Sequence, residues 1–237
     1  MPTIAERLSE VRERIARAAR DAGRDPAGIR LVAVSKTHGA SLIREAYAAG
    51  QREFGENYVQ ELTRKADELG DLQNISWHVI GRLQRNKCKL VVPLAALVHS
   101  VDSIRLAREL GKRAAEVKQT EAAGALAALV EVNVGGEAQK SGCSPAELGG
   151  LLEAVAVEPA LSLRGLMTVP PHTDDPAGAR PYFDELVRLR DHHGGSERLP
   201  ELSMGMTYDL EHAILAGATI VRVGTAIFGQ RSKKARP

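Results

Sequence analysis

The sequence predicts an α/β fold: a single (β/α)8 barrel of the TIM type with an extra N-terminal helix. About eight short runs of β-branched or aliphatic residues alternate with helix-like segments, which is the order expected of parallel βαβ units. The length of 237 residues matches one barrel of this kind. Hydrophobic residues make up 43% of the chain and aromatic residues only 3%, which is enough for one large core of aliphatic side chains. An open, doubly wound sheet has the same alternation, so the number of strands does not exclude that fold.

The extra helix is predicted at residues 3 to about 22, where apolar residues recur at helical spacing. Most of the strand-like runs after it end in a polar or glycine residue just before a loop, and these ends would line one rim of the barrel. The runs cover residues 31–35, 52–54, 75–80, 97–101, 127–134, 162–169, 201–204 and 219–223.

Residues 1–230 are predicted to form one domain, followed by a short basic tail at residues 231–237. The net charge is +2, with 32 basic and 30 acidic residues interspersed, so we expect no nucleic-acid partner. We also expect no membrane association, because the sequence contains neither a signal segment nor a long uncharged stretch. Cys88 and Cys143 are too far apart for a disulfide framework or a metal site, which favours a reducing, cytoplasmic setting and predicts no bound metal.

Lys36 is the first candidate functional residue, because it follows directly on the apolar run of the first predicted strand. The carboxyl ends of barrel strands are where such folds place their chemistry. An amine held there and partly removed from water can attack a carbonyl group and hold it as a Schiff base. The alternative is an ordinary lysine at the end of a strand, with its amine in water.

Two later segments favour a phosphate site. The first joins the strand ending at Ser203 to a helix through Met204, Gly205, Met206 and Thr207, where Thr207 is predicted to cap the helix. The second follows the last strand at Gly224 and Thr225, where glycine permits a close approach of the backbone and threonine adds a hydroxyl. Barrels commonly bind phosphate at the loops after their last two strands. Each segment alone is more often an ordinary capped turn, and the two together favour phosphate.

Arg222 alternates with Val221 and Val223 along the last predicted strand. If the two valines pack outward against helices, Arg222 points toward the barrel mouth. A guanidinium there can donate a hydrogen bond to a neutral ring nitrogen and disfavour protonation of that nitrogen. A Schiff-base lysine, a phosphate cradle and an arginine at a ring nitrogen together describe a site for pyridoxal 5′-phosphate (PLP). A structural ion pair is the alternative role for Arg222.

Seven short motifs along the chain match a known family: VSKT at 34–37, FGENYVQE at 54–61, WHVIG at 77–81, VHSVD at 98–102, GLM at 165–167, LSMGM at 202–206 and VRVGT at 221–225. Through them the chain resembles the pyridoxal phosphate homeostasis proteins, which are related to the N-terminal barrel of alanine racemase. The resemblance implies that Lys36 carries PLP as a Schiff base, that Arg222 meets the pyridine nitrogen, and that Asn57 lies beside the cofactor. It also implies that Thr207, Gly224 and Thr225 hold the phosphate, with help from the backbone of residues 203–206.

The chain departs from this family at two places. Many relatives have a lysine-proline pair where this chain has His38 and Gly39, which puts any shared partner or gating role of that loop in doubt. Many also have serine in place of Thr207, a change that keeps the hydroxyl and should keep the phosphate.

The resemblance implies intracellular PLP homeostasis, meaning buffering or delivery of the cofactor, with little or no catalysis. In the racemases a tyrosine from a second, all-β domain acts opposite the lysine, and this chain is expected to lack that domain. Four residues are candidates for a replacement base, and each is predicted to be a packing or hydrogen-bonding residue without a positioning partner: Tyr58, His78, His99 and His212.

There are two functional alternatives to this prediction. The main one is a PLP-dependent amino-acid racemase or another weak amino-acid-transforming enzyme. The other is a barrel enzyme that acts on a phosphorylated sugar through a Schiff-base lysine, but the chain offers no obvious acidic partner set for it. A monomer is expected, with apo forms of PLP-dependent enzymes as recipients of the cofactor.

Overall fold

The computed structural model describes residues 2–120 and 124–230, which form a closed barrel of eight parallel strands in sequence order. The first strand pairs with both the second and the eighth, so the barrel prediction is confirmed and the open sheet is excluded. Each predicted run overlaps one strand: β1 (Arg30–Val34), β2 (Glu53–Glu56), β3 (Ser76–Val79), β4 (Ala95–Val101), β5 (Leu126–Glu131), β6 (Leu161–Met167), β7 (Glu201–Ser203) and β8 (Ile220–Val223). The predicted basic tail at 231–237 lies outside the described residues.

Helices connect the strands and surround the barrel. They are α1 (Ile4–Asp21), α2 (Ala40–Ala48), α3 (Val59–Glu68), α4 (Cys88–Val91), α5 (Ile104–Thr120), α6 (Leu148–Ala156), α7 (Arg180–His192), α8 (Gly195–Arg198), α9 (Leu210–Ala216) and α10 (Thr225–Phe228). Among the described residues, no helix is both long and apolar enough to cross a membrane.

The predicted N-terminal helix is α1. It begins with a capping box, in which the Thr3 hydroxyl accepts from the Glu6 amide and the Glu6 carboxylate accepts from the Thr3 amide, at 3.2 and 2.7 Å. Its apolar face is buried and packs against α2, α9 and α10. The helix therefore supports the last two βα units from outside the barrel.

Two separate apolar clusters stabilise the fold. The larger cluster lies between the sheet and the helices, and it includes Val221 and Val223. The smaller cluster lies within the barrel and consists of Val32, Leu97, Leu129, Met167 and Ile220. Because side chains alternate along a strand, Arg222 shares the inner face with Ile220. The two valines therefore pack outward, and Arg222 points into the barrel.

Candidate functional site

Lys36 lies at the carboxyl end of β1, and both peptide groups beside it are held by one helix. The Lys65 ammonium on α3 donates to the Ser35 carbonyl at 2.8 Å, and the Glu61 carboxylate on the same helix accepts from the Thr37 amide at 2.7 Å. Thr37 has a φ of 67°, a left-handed conformation that non-glycine residues rarely adopt. The helix thus fixes the backbone on either side of the candidate amine in a conformation that needs support.

The group that holds this backbone, here called the Lys65 cluster, consists of Ser35, Glu56, Glu61 and Lys65. The Lys65 side chain is fully buried and donates to Glu56 at 2.7 Å and to Glu61 at 2.9 Å. The Ser35 hydroxyl donates to the same Glu56 oxygen at 2.6 Å. Burial raises the pKa of Glu56, and Lys65 only partly offsets that effect. Burial also acts to raise the pKa of Glu61, but hydrogen bonds from Lys65 and Thr37 outweigh it and leave the pKa lowered.

Sequence reasoning missed Lys65. The signal was its position on α3, where Val59, Leu62 and Lys65 occupy one buried face. A lysine on an apolar helical face needs a partner in the interior. Its partners lie partly on other elements, so the pattern alone could not show what Lys65 holds in place.

Arg222 is 4% exposed, and its guanidinium is held by two strands. It donates to the Ser203 hydroxyl on β7 at 2.6 Å and to the Thr168 carbonyl after β6 at 2.9 Å. Burial lowers the pKa of Arg222 to about 10, while Glu131 and Asp209 act in the opposite direction. Arg222 is therefore still a cation at neutral pH, and it can only donate hydrogen bonds.

The loops after β7 and β8 meet, as the predicted phosphate site requires. The Thr207 hydroxyl lies 3.5 Å from the Ala226 amide, which joins the two loops. The amides of Thr207, Gly224 and Thr225 donate no turn or loop hydrogen bond to another described residue. A Cβ atom on Gly224 would lie 3.1 Å from the Val34 carbonyl oxygen, so glycine lets this loop pack against the end of β1. The two loops thus lie next to the strand that ends at Lys36.

The prediction that Thr207 caps a helix was wrong. Helix α9 begins at Leu210, and the residue before it is Asp209. The Asp209 carboxylate accepts from the Met206 amide at 2.6 Å, which closes a turn over residues 206–209 and leaves Thr207 inside that turn. An arginine on α1 fixes the turn from outside, because Arg14 donates to the Thr207 carbonyl at 3.0 Å. The Thr207 hydroxyl consequently faces the β8 loop instead of its own helix.

The remaining predicted residues occupy the same end of the barrel. Asn57 follows β2 and is half-buried, and its backbone packs so closely on Gly81 that a Cβ there would lie 2.6 Å from the Asn57 carbonyl oxygen. Met204 and Gly205 are buried after β7, whereas Met206 is exposed.

His38, where the chain differs from many relatives, contacts an aromatic residue of the last βα unit. The His38 ring lies 5.3 Å from the Phe228 ring at the end of α10, so the loop after Lys36 contacts the segment that begins at Thr225. This contact joins the lysine loop to the last βα unit.

The histidines considered as bases differ from expectation in one respect. His78 and His99 are buried hydrogen-bonding residues, as predicted, but they do have positioning partners. Nδ1 of His78 lies 2.9 Å from Nε2 of His99, and Nδ1 of His99 lies 2.8 Å from the Ser203 hydroxyl. Tyr58 is 54% exposed outside the barrel mouth, and His212 is partly exposed on α9.

Comparison with known proteins agrees with this geometry. Residues 7–232 match the model of the alanine racemase N-terminal domain. The pyridoxal phosphate homeostasis protein of Pseudomonas aeruginosa is 47% identical over 232 residues, covering 98% of this chain and 97% of the relative. The chain belongs to the pyridoxal phosphate homeostasis protein family. The Escherichia coli K12 member is 44% identical over 247 residues, and the match covers 99% and 100% of the two chains.

Solved structures extend the comparison to the fold. PipY of Synechococcus elongatus, solved with PLP bound, is 37% identical with a TM-score of 0.80, and the match covers 96% of this chain and 100% of PipY. Alanine racemase of Corynebacterium glutamicum is 16% identical with a TM-score of 0.63, and the match covers 97% of this chain but 63% of the racemase. The racemase likeness shows the shared barrel alone.

Proposed function

We propose that this chain binds PLP through a Schiff base on Lys36 and serves intracellular PLP homeostasis by buffering or delivering the cofactor. The observation that carries the proposal is the meeting of three features at one barrel end. These are a strand-end lysine with a fixed backbone, two adjoining loops, and a buried guanidinium. The amides of Thr207, Gly224 and Thr225 in the two loops donate no turn or loop hydrogen bond to another described residue. Family membership and the PLP-bound structure of PipY support the same conclusion.

The residues of this end fit the parts of the cofactor. Lys36 would hold the aldehyde carbon, and Asn57 would lie beside the ring. Thr207, Gly224 and Thr225, with the backbone of residues 203–206, would hold the phosphate through N–H and O–H donors, which suit an anion. Arg222 would donate to the pyridine nitrogen.

Arg222 also bears on catalysis. When bound, PLP supplies a reactive aldehyde and an electron-accepting ring. A guanidinium is a permanent donor, so it favours an unprotonated pyridine nitrogen and weakens that electron acceptance. Racemisation by two bases further requires an acid/base group on each face of the cofactor. These arguments favour a carrier with little or no turnover. We further propose that it acts in the cytoplasm as a monomer and gives PLP to apo forms of PLP-dependent enzymes.

The test is a visible spectrum of the purified protein with PLP, followed by borohydride reduction and a peptide map. We expect an adduct on Lys36, no adduct in Lys36→Ala, and an unchanged adduct in Lys89→Ala, which removes an exposed lysine. An unchanged band in Lys36→Ala would contradict the assignment. Incubation with single enantiomers of amino acids tests the alternative function, a PLP-dependent racemase or another amino-acid-transforming enzyme, because turnover would make the protein an enzyme.

A further inference from the structure

A line of buried polar side chains crosses the interior of the barrel and ends at Arg222. It runs from Arg222 on β8 to Ser203 on β7, His99 on β4 and His78 on β3, with successive contacts of 2.6, 2.8 and 2.9 Å. All four residues are at most 4% exposed. Barrel interiors are usually packed with aliphatic side chains, and buried polar groups destabilise a fold unless they are hydrogen-bonded. A complete polar line in this place therefore requires an explanation.

The donors and acceptors of these groups decide the direction in which hydrogen bonds are donated along the line. Arg222 can only donate, so the Ser203 oxygen accepts from it. Burial lowers the pKa of His78 to about 3 and that of His99 well below its ordinary value, so both rings are neutral and each carries one N–H. If the Ser203 hydroxyl donates to Nδ1 of His99, then Nε2 of His99 carries the proton and donates to Nδ1 of His78.

The far end of the line agrees with this direction. The N–H on Nε2 of His78 then faces the Glu53 carboxylate, 3.4 Å away. The opposite direction would turn a lone pair of His78 toward that carboxylate. It would also leave the Ser203 hydroxyl hydrogen without an acceptor among its two described partners. The direction from Arg222 to Glu53 therefore gives the Ser203 hydroxyl an acceptor and turns the last N–H toward a carboxylate, although that last contact is an electrostatic one and not a hydrogen bond.

The line also limits the freedom of the guanidinium. One terminal nitrogen of Arg222 is held by Ser203 and the other by the Thr168 carbonyl, so the plane of the group is fixed at two points. Ser203 can hold its position because His99 fixes its hydroxyl, and His78 fixes the tautomer of His99. We propose that His99 and His78 are positioning residues, which act through Ser203 to aim the Arg222 guanidinium at the cofactor ring. This inference rests on the proposed PLP site.

The first experiment needs no cofactor. The 15N chemical shifts of the histidine rings in the wild-type apoprotein distinguish protonated from unprotonated nitrogens. We expect Nδ1 of His99 to be unprotonated and Nε2 to be protonated, with the same pattern in His78. The opposite tautomers, or a charged ring at neutral pH, would overturn the direction of the line even if PLP binds as proposed.

The second experiment measures the PLP dissociation constant and the visible absorption band of the bound cofactor. Ser203→Ala and His99→Leu should each weaken PLP binding about tenfold and shift the band. The first variant removes the hydroxyl that accepts from Arg222, and the second removes the ring that fixes this hydroxyl. Ser203→Thr keeps the hydroxyl and should keep both values near wild type. In an Arg222→Lys background, His99→Leu should add no further change, because its effect passes through Arg222.

The outcomes separate this inference from the proposed function. Thermal unfolding identifies the variants that remain folded. Folded His99→Leu protein with the wild-type dissociation constant and band would mean that the histidines only fill the barrel. The inference would also be overturned if His99→Leu weakened PLP binding in the Arg222→Lys background as much as it does in the wild-type background. Failure of wild-type protein to form the Lys36 adduct would instead overturn the proposed function.

Discussion

At the scale of single residues, the setting of Lys36 depends on neighbours that never touch the proposed ligand. Glu61 and Lys65 hold the peptide groups on either side of it, and Thr37 adopts a left-handed conformation within that support. Many lysines lie at the end of a strand, but here a buried ion pair fixes the flanking backbone. The Lys65 cluster is therefore the feature that distinguishes Lys36 from an ordinary surface lysine.

The first prediction concerns Lys65. Lys65→Met should lower the free energy of unfolding by about 3 to 5 kcal/mol, because it leaves the Glu56 carboxylate buried without its cation. Urea unfolding near pH 7.5 measures the change. Lys89→Met, which removes an exposed lysine, should stay within about 0.5 kcal/mol of wild type. Equal stabilities of the two variants would show that the Lys65 cluster contributes little.

At the scale of elements, the loops after β7 and β8 form the proposed phosphate cradle together. Neither loop is long, and their relative position depends on Gly224 against β1 and on Arg14 of α1 against the Thr207 carbonyl. The two hydroxyls come from residues 207 and 225, one on each loop. Their effects on ligand binding should therefore be separable from the chemistry of Lys36.

The second prediction tests this separation. Thr207→Val and Thr225→Val should each weaken PLP binding about tenfold, since each removes one hydrogen bond to a charged group, and the double variant should be weaker than either. Pyridoxal, which has the aldehyde but no phosphate, serves as the matched control ligand and should bind all forms alike. Equal losses for PLP and pyridoxal would place the phosphate elsewhere.

The third prediction concerns two glycines in different environments. Gly81→Ala should lower both stability and PLP affinity, because its Cβ would lie 2.6 Å from the Asn57 carbonyl oxygen and would displace the loop after β2. A Cβ atom on Gly150, on the exposed face of α6, would have no atom within 4 Å. Gly150→Ala should therefore raise the free energy of unfolding by about 0.5 to 1 kcal/mol. Thermal and urea unfolding measure both, and a neutral Gly81→Ala would contradict the close approach.

At the scale of the whole molecule, the closed barrel brings together side chains that are distant in sequence. His99 and Ser203 are 104 residues apart and meet across the interior, where they are shielded from water. That shielding holds both interior histidines neutral, so the fold itself becomes sensitive to pH. Four buried or partly buried carboxyls have pKa values that burial raises, and they act in the opposite sense at lower pH: Glu53, Glu56, Glu131 and Asp209.

The fourth prediction uses this sensitivity. Below pH 6.5 the unfolded chain binds a proton at His78 and at His99, whereas the folded chain does not, so stability present above that pH is lost as the pH falls. The contribution of His99 should decrease by about 1.4 kcal/mol per pH unit. The difference in unfolding free energy between wild type and His99→Leu isolates this term from the carboxyls. A difference that stays constant between pH 7 and 5 would mean that His99 charges inside the fold.

The sequence by itself determined the strands, the order of the units, and the residues at the strand ends, because each of these depends on local alternation and on a breaker or glycine nearby. Lys36, Arg222 and Gly224 were identified in this way. The tertiary structure decided the closure of the barrel, the turn that Asp209 closes in place of a cap by Thr207, and the partners of Lys65 and His99. These features depend on which side chains meet when β1 joins β8, and no local pattern records contacts between residues so far apart along the chain.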